Sequence, residues 1–576
     1  RPRRGLGSLP LLAAALALVL GGCVTEEAAP VADLVITNGN VVTLNPDQPN
    51  VAALAVREGV ILALGSAAEM EAHVGPETEV LDVEGQLVIP GFIEGHGHFM
   101  GLGNAKLILD LTTAQSWDEM VAMVAEAVDE AAPGSWIQGR GWHQEKWTSA
   151  PEVLVDGVPP HDELSAVSPD NPVFLVHASG HAALANARAL EIAGIASDTP
   201  DPAGGTIVRD ASGRATGLLR ENADGLVAEH LDRWLNERST EDIESEARRK
   251  VELAGLEALE NGVTTFHDAG VDFSTIDFFR DLADEGSLPI RIYAMVRFES
   301  NEELERRLPE YRMIGYGDQF LTVRSIKRQL DGALGPHGAW LLEPYADLPS
   351  STGLALESLD EFRASLRIAL EHGYQVNTHA IGDRANRETL GMYDQAFLAA
   401  GYDPGVLRWR IEHAQHVHPD DVQRFAELGV IAAMQGIHCT SDAPWVLRRL
   451  GEERAESGAY LWRDFHRAGV VVTNGTDVPV EDISPIASFY ASVTRRTEDG
   501  SQFYPGQVMT REEALRSYTI NNAFAAFEEH LKGSLEVGKL ADITVLDRDI
   551  LTVPDEEILG TSVSYTILGG EVRFRR

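Results

Sequence analysis

LVIPGFIEGHGHF, residues 87–99, is the stretch on which the fold turns. Its apolar run, broken at Pro90-Gly91, reads as a β-strand and ends in the pair His96-Gly97-His98. Residues two apart on a strand project the same way. The two imidazoles therefore address one point, which is what a metal ion requires of its first two ligands. Taken alone, the pair is equally compatible with two surface or core histidines, so the surrounding chain has to decide.

Downstream, short apolar runs alternate with amphipathic helical stretches, the pattern of parallel α/β structure. After the His96 strand come VTTFHDAG (263–270), IRIYAMV (290–296), LTVRSIKRQ (321–329), YQVNTHA (374–380), RWRIEHAQ (408–415), VIAAMQGIH (430–438) and VVVTNGTD (470–477). That makes eight strands, the number a (β/α)8 barrel of the TIM type requires. Separators such as DEFRASLRIALEHG and PDDVQRFAELG carry helical periodicity and stop at a glycine. About 160 residues separate the first two strands, far beyond an ordinary βα connection. Residues 99–255 are therefore expected to hold an inserted subdomain overhanging the C-terminal mouth of a barrel that spans 91–535. Residues 32–90 and 536–576 share a texture of short β-like runs and are expected to pair into one small β-sandwich built from both chain ends.

The 576-residue chain is 44% hydrophobic and 24% charged, ordinary for a globular protein, and its size suits one large and one smaller domain. A net charge of −42 with few lysines argues against nucleic acid as a partner. Residues 1–22 read as a signal peptide: Arg1, Arg3 and Arg4 precede an apolar run that ends at Gly21-Gly22-Cys23. The L-G-G-C ending resembles a bacterial lipobox. It predicts acylation of Cys23, a tether over 23–31, and an exported, lipid-anchored protein on the bacterial cell envelope. Cys439 is the only other cysteine, which leaves no disulfide framework within one chain.

Five of the eight strands carry a candidate ligand at or near the C-terminal end: His96 and His98, Lys327, His379, His413 and Asp477. A barrel brings these ends together although they are far apart in sequence. The motifs around them (PGFIEGHGH, SIKRQLDGALG, VNTHAIGDRAN, RIEHAQ, NGTDVPVE and GSLEVGKLADITVLDRD) resemble the amidohydrolase superfamily over nearly everything after residue 32. More narrowly they resemble its YtcJ-like branch, which includes N-substituted formamide deformylase. The resemblance implies one or two divalent metal ions, with His96, His98 and Asp477 binding the first. Lys327, carboxylated by carbon dioxide, would bridge to a second held by His379 and His413. Zinc suits such mixed histidine and carboxylate ligation best. Glu94 departs from the family, which usually has aspartate before the histidine pair, but it removes no ligand.

The chemistry implied is hydrolysis of a C–N bond in a small amide, N-acyl or cyclic imide compound. Asp477 would accept the proton of the attacking water and deliver it to the leaving nitrogen. His438, read as the end of strand seven, is a second catalytic candidate that would orient substrate or stabilise the oxyanion. Trp142, His143 and His181 of the insertion are candidates to line the pocket. Asp268 reads as a hydrogen-bonding strand-end residue rather than a ligand. The bare reading of Lys327 is an ion pair with Asp331 or a neighbour. Two alternatives stay open at this point: hydrolysis of an ester or other carbonyl compound by the same centre, and a non-catalytic binding or regulatory lipoprotein. The sequence also leaves open a homo-oligomer.

Overall fold

The computed structural model describes residues 29–149 and 151–576. The expected signal peptide and Cys23 lie outside the described residues. Among those described, no helix is long and apolar enough to cross a membrane.

Eight parallel strands form the central sheet: β1 (Phe92–Gly97), β2 (Val263–Val271), β3 (Arg291–Val296), β4 (Leu321–Gln329), β5 (Gln375–Ala380), β6 (Arg410–His413), β7 (Ile431–Gln435) and β8 (Val472–Gly475). They lie side by side in sequence order. The sheet closes beyond its last pairing, where the Asp477 N–H donates to the His96 carbonyl and the His98 N–H to the Val478 carbonyl, each at 2.7 Å. The chain is thus a TIM-type barrel, as its strand count predicts.

Strand alternation sorts the side chains. On β6, Ile411 packs into the apolar layer between sheet and helices. Its neighbours Arg410 and Glu412 point into the barrel, where Arg410 donates to the Ala525 carbonyl (2.7 Å) at the closed end. There Ala269, Tyr293, Met295 and Ala526 form a small apolar plug, and the Tyr293 hydroxyl donates to Gln375 Oε1 (2.9 Å). The opposite end is open, and the candidate ligands gather there.

Both chain ends meet in a two-sheet structure packed against the barrel. One sheet holds Leu34–Thr37, Ala53–Arg57, Val60–Gly65 and Glu79–Asp82. The other unites Asn40–Val42, Asn50–Val51 and Leu87–Pro90 with Ile543–Leu546, Val563–Leu568 and Glu571–Arg575 from the far end of the chain. The strand Leu87–Pro90 serves two cores because its period is two. Val88 enters the sandwich core with Ile36, Val545 and Ile567, whereas Leu87 and Ile89 enter the barrel core. Gly91 then passes the chain into β1 so close to β2 that a Cβ there would lie 2.3 Å from Thr264 Oγ1.

Between β1 and β2 lies a separate six-stranded sheet whose strands run from Leu109–Asp110 to Ala215–Glu221. It has its own core around Trp117, Met120, Leu175, Leu184 and Leu218. The flanking helices Phe99–Ala105 and Thr240–Glu260 bury their apolar faces in the barrel core instead.

One strand assignment needs correction. β7 ends at Gln435, and His438, expected at its end, lies in the first turn of the helix Gly436–Leu450. The Gly436 N–H donates to Asn474 Oδ1 (2.8 Å), and a side chain at 436 would meet Ser492 Oγ at 2.3 Å. The strand is therefore diverted into a helix three residues before His438.

Candidate metal centre

β1 and the residue after it deliver His96 and His98, whose rings stand nearly perpendicular with centroids 6.0 Å apart. Both Nε2 atoms bracket one oxygen, Asp477 Oδ1, at 3.6 Å for His96 and 3.2 Å for His98. From β6, His413 places Nδ1 4.0 Å from Asp477 Oδ2. Its ring centroid lies 4.7 Å from that of His96 and 4.4 Å from that of His379 on β5. Lys327 on β4 brings Nζ to 3.2 Å from His96 Nε2. Donor atoms of His96, His413 and Asp477 all fall within 4.8 Å of one another. All six residues named in the sequence as ligands thus meet at the open end of the barrel.

The backbone is strained where it presents two of them. His413 (φ 75°) and Asp477 (φ 59°) both occupy the left-handed region, a cost that surrounding structure must hold in place. Glu94 supplies part of that support across the β1–β8 seam. Its carboxylate accepts the Thr476 N–H (2.6 Å) and hydroxyl (3.1 Å), one residue before Asp477. Gly475 permits the approach, since a Cβ there would lie 2.4 Å from Glu94 Oε1. The histidines are fixed from behind as well. His96 Nδ1 bonds to the Glu412 carboxylate, and His413 Nδ1 bonds to Gln435 Oε1 (2.9 Å). A donated Nδ1–H leaves the Nε2 lone pair free, the tautomer a metal ligand needs.

Burial sets the protonation of the cluster. It holds His96, His379 and His413 well below the usual imidazole range, so their nitrogens are neutral. It also lowers the Lys327 amine to about 8. Burial works against ionisation of Asp477, but His96, His98 and His413 around it keep its carboxyl well below the usual range. Glu94, with little but N–H and O–H donors to offset burial, rises to about 8.

These residues fit a divalent cation. His379 Nε2 and Asp477 Oδ1 are buried without a hydrogen-bond partner. Orphaned acceptors of that kind are costly unless something fills the space between them. Neutral imidazoles, an ionised carboxylate and a lysine with a lowered pKa form a donor set suited to a metal and to little else.

The Amidohydrolase family profile matches residues 79–574. The chain belongs to the amidohydrolase family. It is similar to Protein LONG AFTER FAR-RED 3 of Arabidopsis thaliana, 34% identical over 95% of this chain and 92% of that protein. It is also similar to N-substituted formamide deformylase of Arthrobacter pascens, 31% identical over 94% of this chain and 98% of that protein. Among solved structures, an uncharacterized metal-dependent hydrolase of Pyrococcus horikoshii OT3 is 27% identical and superposes with a TM-score of 0.70 over 91% of this chain and 99% of that one.

In this amidohydrolase the centre opens into a cavity of about 380 Å³, walled on one side by the barrel mouth and on the other by the insertion. His143 and His181 both line it. His181 Nδ1 bonds to Glu221 (2.7 Å), and its ring centroid lies 5.3 Å from that of His379. Trp142 does not line this cavity: its indole is buried in the core of the insertion and donates Nε1–H to the Leu175 carbonyl (2.9 Å). Alternation alone would put Trp142 on the face of Arg140, but the pairing with Val173–His177 shifts register between those two residues at Gly141 (φ 104°), and the irregularity turns Trp142 into the core of the insertion while Arg140 faces the barrel. His438 lines the cavity from its helix. Its Nδ1 is bonded to Gln415 Nε2 (3.1 Å) and its Nε2 has no partner. Asp268 accepts the Phe99 and Gly270 N–H groups (3.2 and 3.3 Å). Asp331 accepts three backbone N–H groups rather than pairing with Lys327. Sequence reasoning passed over Glu412, Gln435, His177, Arg140 and Arg297, all of which hold or wall the site.

Proposed function

We propose that this amidohydrolase hydrolyses a C–N bond of a small amide, N-acyl or cyclic imide compound. A divalent metal centre, zinc by its ligand chemistry, would be held by His96, His98, Lys327, His379, His413 and Asp477. The observation that carries this reading is the convergence of five strand ends on a cluster whose buried acceptors lack partners. The formamide deformylase among its relatives supports the bond class.

The chemistry a bound cation supplies at such a site is acidification of water and polarisation of a carbonyl oxygen. The chain's own residues do the rest. Asp477, bracketed by His96 and His98, accepts the proton of the attacking water and returns it to the leaving nitrogen as the tetrahedral intermediate collapses. Lys327 gains an anionic oxygen donor when its neutral amine adds carbon dioxide and releases a proton. His438, with Nε2 unpartnered at the cavity wall, orients the substrate carbonyl. His143 and His181 bound the space for the rest of the substrate.

The test is metal analysis of the purified protein followed by a screen of amides, formamides and matched esters. Hydrolysis of esters alone, or of nothing in a metal-loaded preparation, sinks the C–N reading. We also propose that acylated Cys23 anchors the enzyme to the cell envelope, on the strength of the L-G-G-C motif. A Cys23→Ala variant that still fractionates with membranes would contradict that.

A further inference from the structure

Resting on the C–N hydrolase reading, we propose that the substrate also carries a carboxylate, received by Arg140 and Arg297. The chain has six lysines in all. Four of them, Lys106, Lys250, Lys532 and Lys539, pair with glutamates at 3.0, 2.8, 2.7 and 2.8 Å. The other two, Lys146 and Lys327, line the catalytic cavity without a carboxylate partner among the described residues; Lys327 belongs to the metal centre, which leaves Lys146 as the unpaired cation. Arg140 and Arg297 line the same cavity and are equally without one. In a chain of net charge −42, carboxylates are abundant. Arg140, Arg297 and Lys146 thus bring three cations without carboxylate partners to one cavity, where they favour an approaching anion.

The two guanidiniums are held by neutral groups and retain unused donors. A guanidinium has five N–H groups. Arg140 gives Nε–H to the Pro479 carbonyl (3.2 Å) and one Nη2–H to the Ala178 carbonyl (3.1 Å). One anchor belongs to the loop two residues past Asp477 and the other to the insertion, so the fork is fixed in orientation across the mouth. Arg297, directly after β3, gives one Nη2–H to Gln329 and lies over the Phe298 ring at 4.6 Å. The remaining N–H groups have no protein acceptor among the described residues.

Two other buried arginines without carboxylates differ in kind: Arg410 and Arg495 are sealed in the core, where backbone carbonyls of Ala525, Phe503 and Tyr460 accept from them. The cavity's own carboxylates are engaged elsewhere: Asp477 faces His96, His98 and His413, Asp442 accepts from the Tyr460 hydroxyl (2.7 Å) and Glu481 from Ser441. A buried cation with free donors needs an anion, and a planar carboxylate matches the guanidinium fork in two parallel bonds.

The experiment compares N-formylphenylalanine with N-formyl-2-phenylethylamine on the metal-loaded full chain. The two share a scissile bond and differ by one carboxylate. The acid is expected to have a kcat/KM higher by roughly tenfold or more, mostly through KM. That ratio should fall about tenfold in Arg140→Gln and in Arg297→Gln and recover in part in Arg140→Lys. Circular dichroism checks that each variant folds. Equal or lower kcat/KM for the acid, with the neutral formamide still turned over, overturns the inference and leaves the hydrolase reading intact. A phosphonate analogue preferred over the acid also overturns it. If neither formamide is hydrolysed, the hydrolase reading is left to the broader screen and calorimetry of 3-phenylpropionate against 3-phenylpropionamide decides the inference separately: tighter binding of the anion supports it, and equal binding overturns it.

Discussion

His96 on β1 and Glu412 on β6 are hydrogen-bonded to each other inside the barrel, Nδ1 to carboxylate, across 316 residues of sequence. The bond fixes the imidazole so that Nε2 faces Asp477 and Lys327. Carboxylates behind metal-bound histidines raise ligand basicity, and their loss typically costs about 10–100-fold in metal affinity. Glu412→Gln keeps the size and should weaken metal binding by that factor, read by competition with a chromogenic chelator. Unchanged affinity would reduce Glu412 to a packing residue.

Lys327→Ala should lose at least one metal ion per chain, because the carbamate proposed for Lys327 cannot form. Lys327→Glu should keep partial occupancy through a shorter carboxylate. Elemental analysis of the two purified variants checks both. Full metal content in the alanine variant removes Lys327 from the ligand set.

Asp477→Asn should leave the fold intact by circular dichroism yet lower turnover by about 10²–10⁴-fold, the usual worth of a positioned acid–base group. Asparagine keeps one oxygen toward His98 but cannot take a proton from water. Near-normal turnover in this variant would shift the proton transfer to His438.

His416 lies outside the proposed ligands and predicts a pH effect on stability. It is 2% exposed and both ring nitrogens lack partners. Burial lowers its pKa to about 3, whereas an unfolded histidine titrates near 6.5. Between these values the unfolded chain binds a proton that the folded one refuses, so stability is complete above about pH 6.5 and declines as pH falls toward 3. One proton contributes a slope of up to ~1.4 kcal/mol per pH unit. His416→Leu should therefore lose less stability than the parent chain between pH 6.5 and 4.5 in thermal melts. Parallel curves for the two proteins would count against a neutral buried His416.

The proposed ligands were legible in the sequence because each sits at or near a strand end, and eight apolar runs of the right spacing tell the reader where those ends meet. The alternation rule that pairs His96 with His98 also explains what escaped. Glu412 precedes His413 on the same strand and by alternation should face away from its neighbour. Both reach the centre because His413 takes a left-handed backbone (φ 75°), a turn that RIEHAQ does not announce. His438 was misplaced for a similar reason, since VIAAMQGIH is apolar enough to read as one strand while Asn474 and Ser492 divert it at Gly436. Arg140 and Arg297 carry no motif. Their significance lies in the absence of a counterion, which only the folded arrangement reveals.

The most direct test of a hydrolytic metal centre at the barrel mouth is turnover of the best amide found in the substrate screen by one preparation measured as purified, after chelation, and after zinc and bicarbonate are restored. Activity should disappear with the metal and return with it in the parent chain, and should fail to return in His96→Ala. Turnover that survives complete removal of metal, verified by elemental analysis of the same sample, would contradict the metal-dependent mechanism.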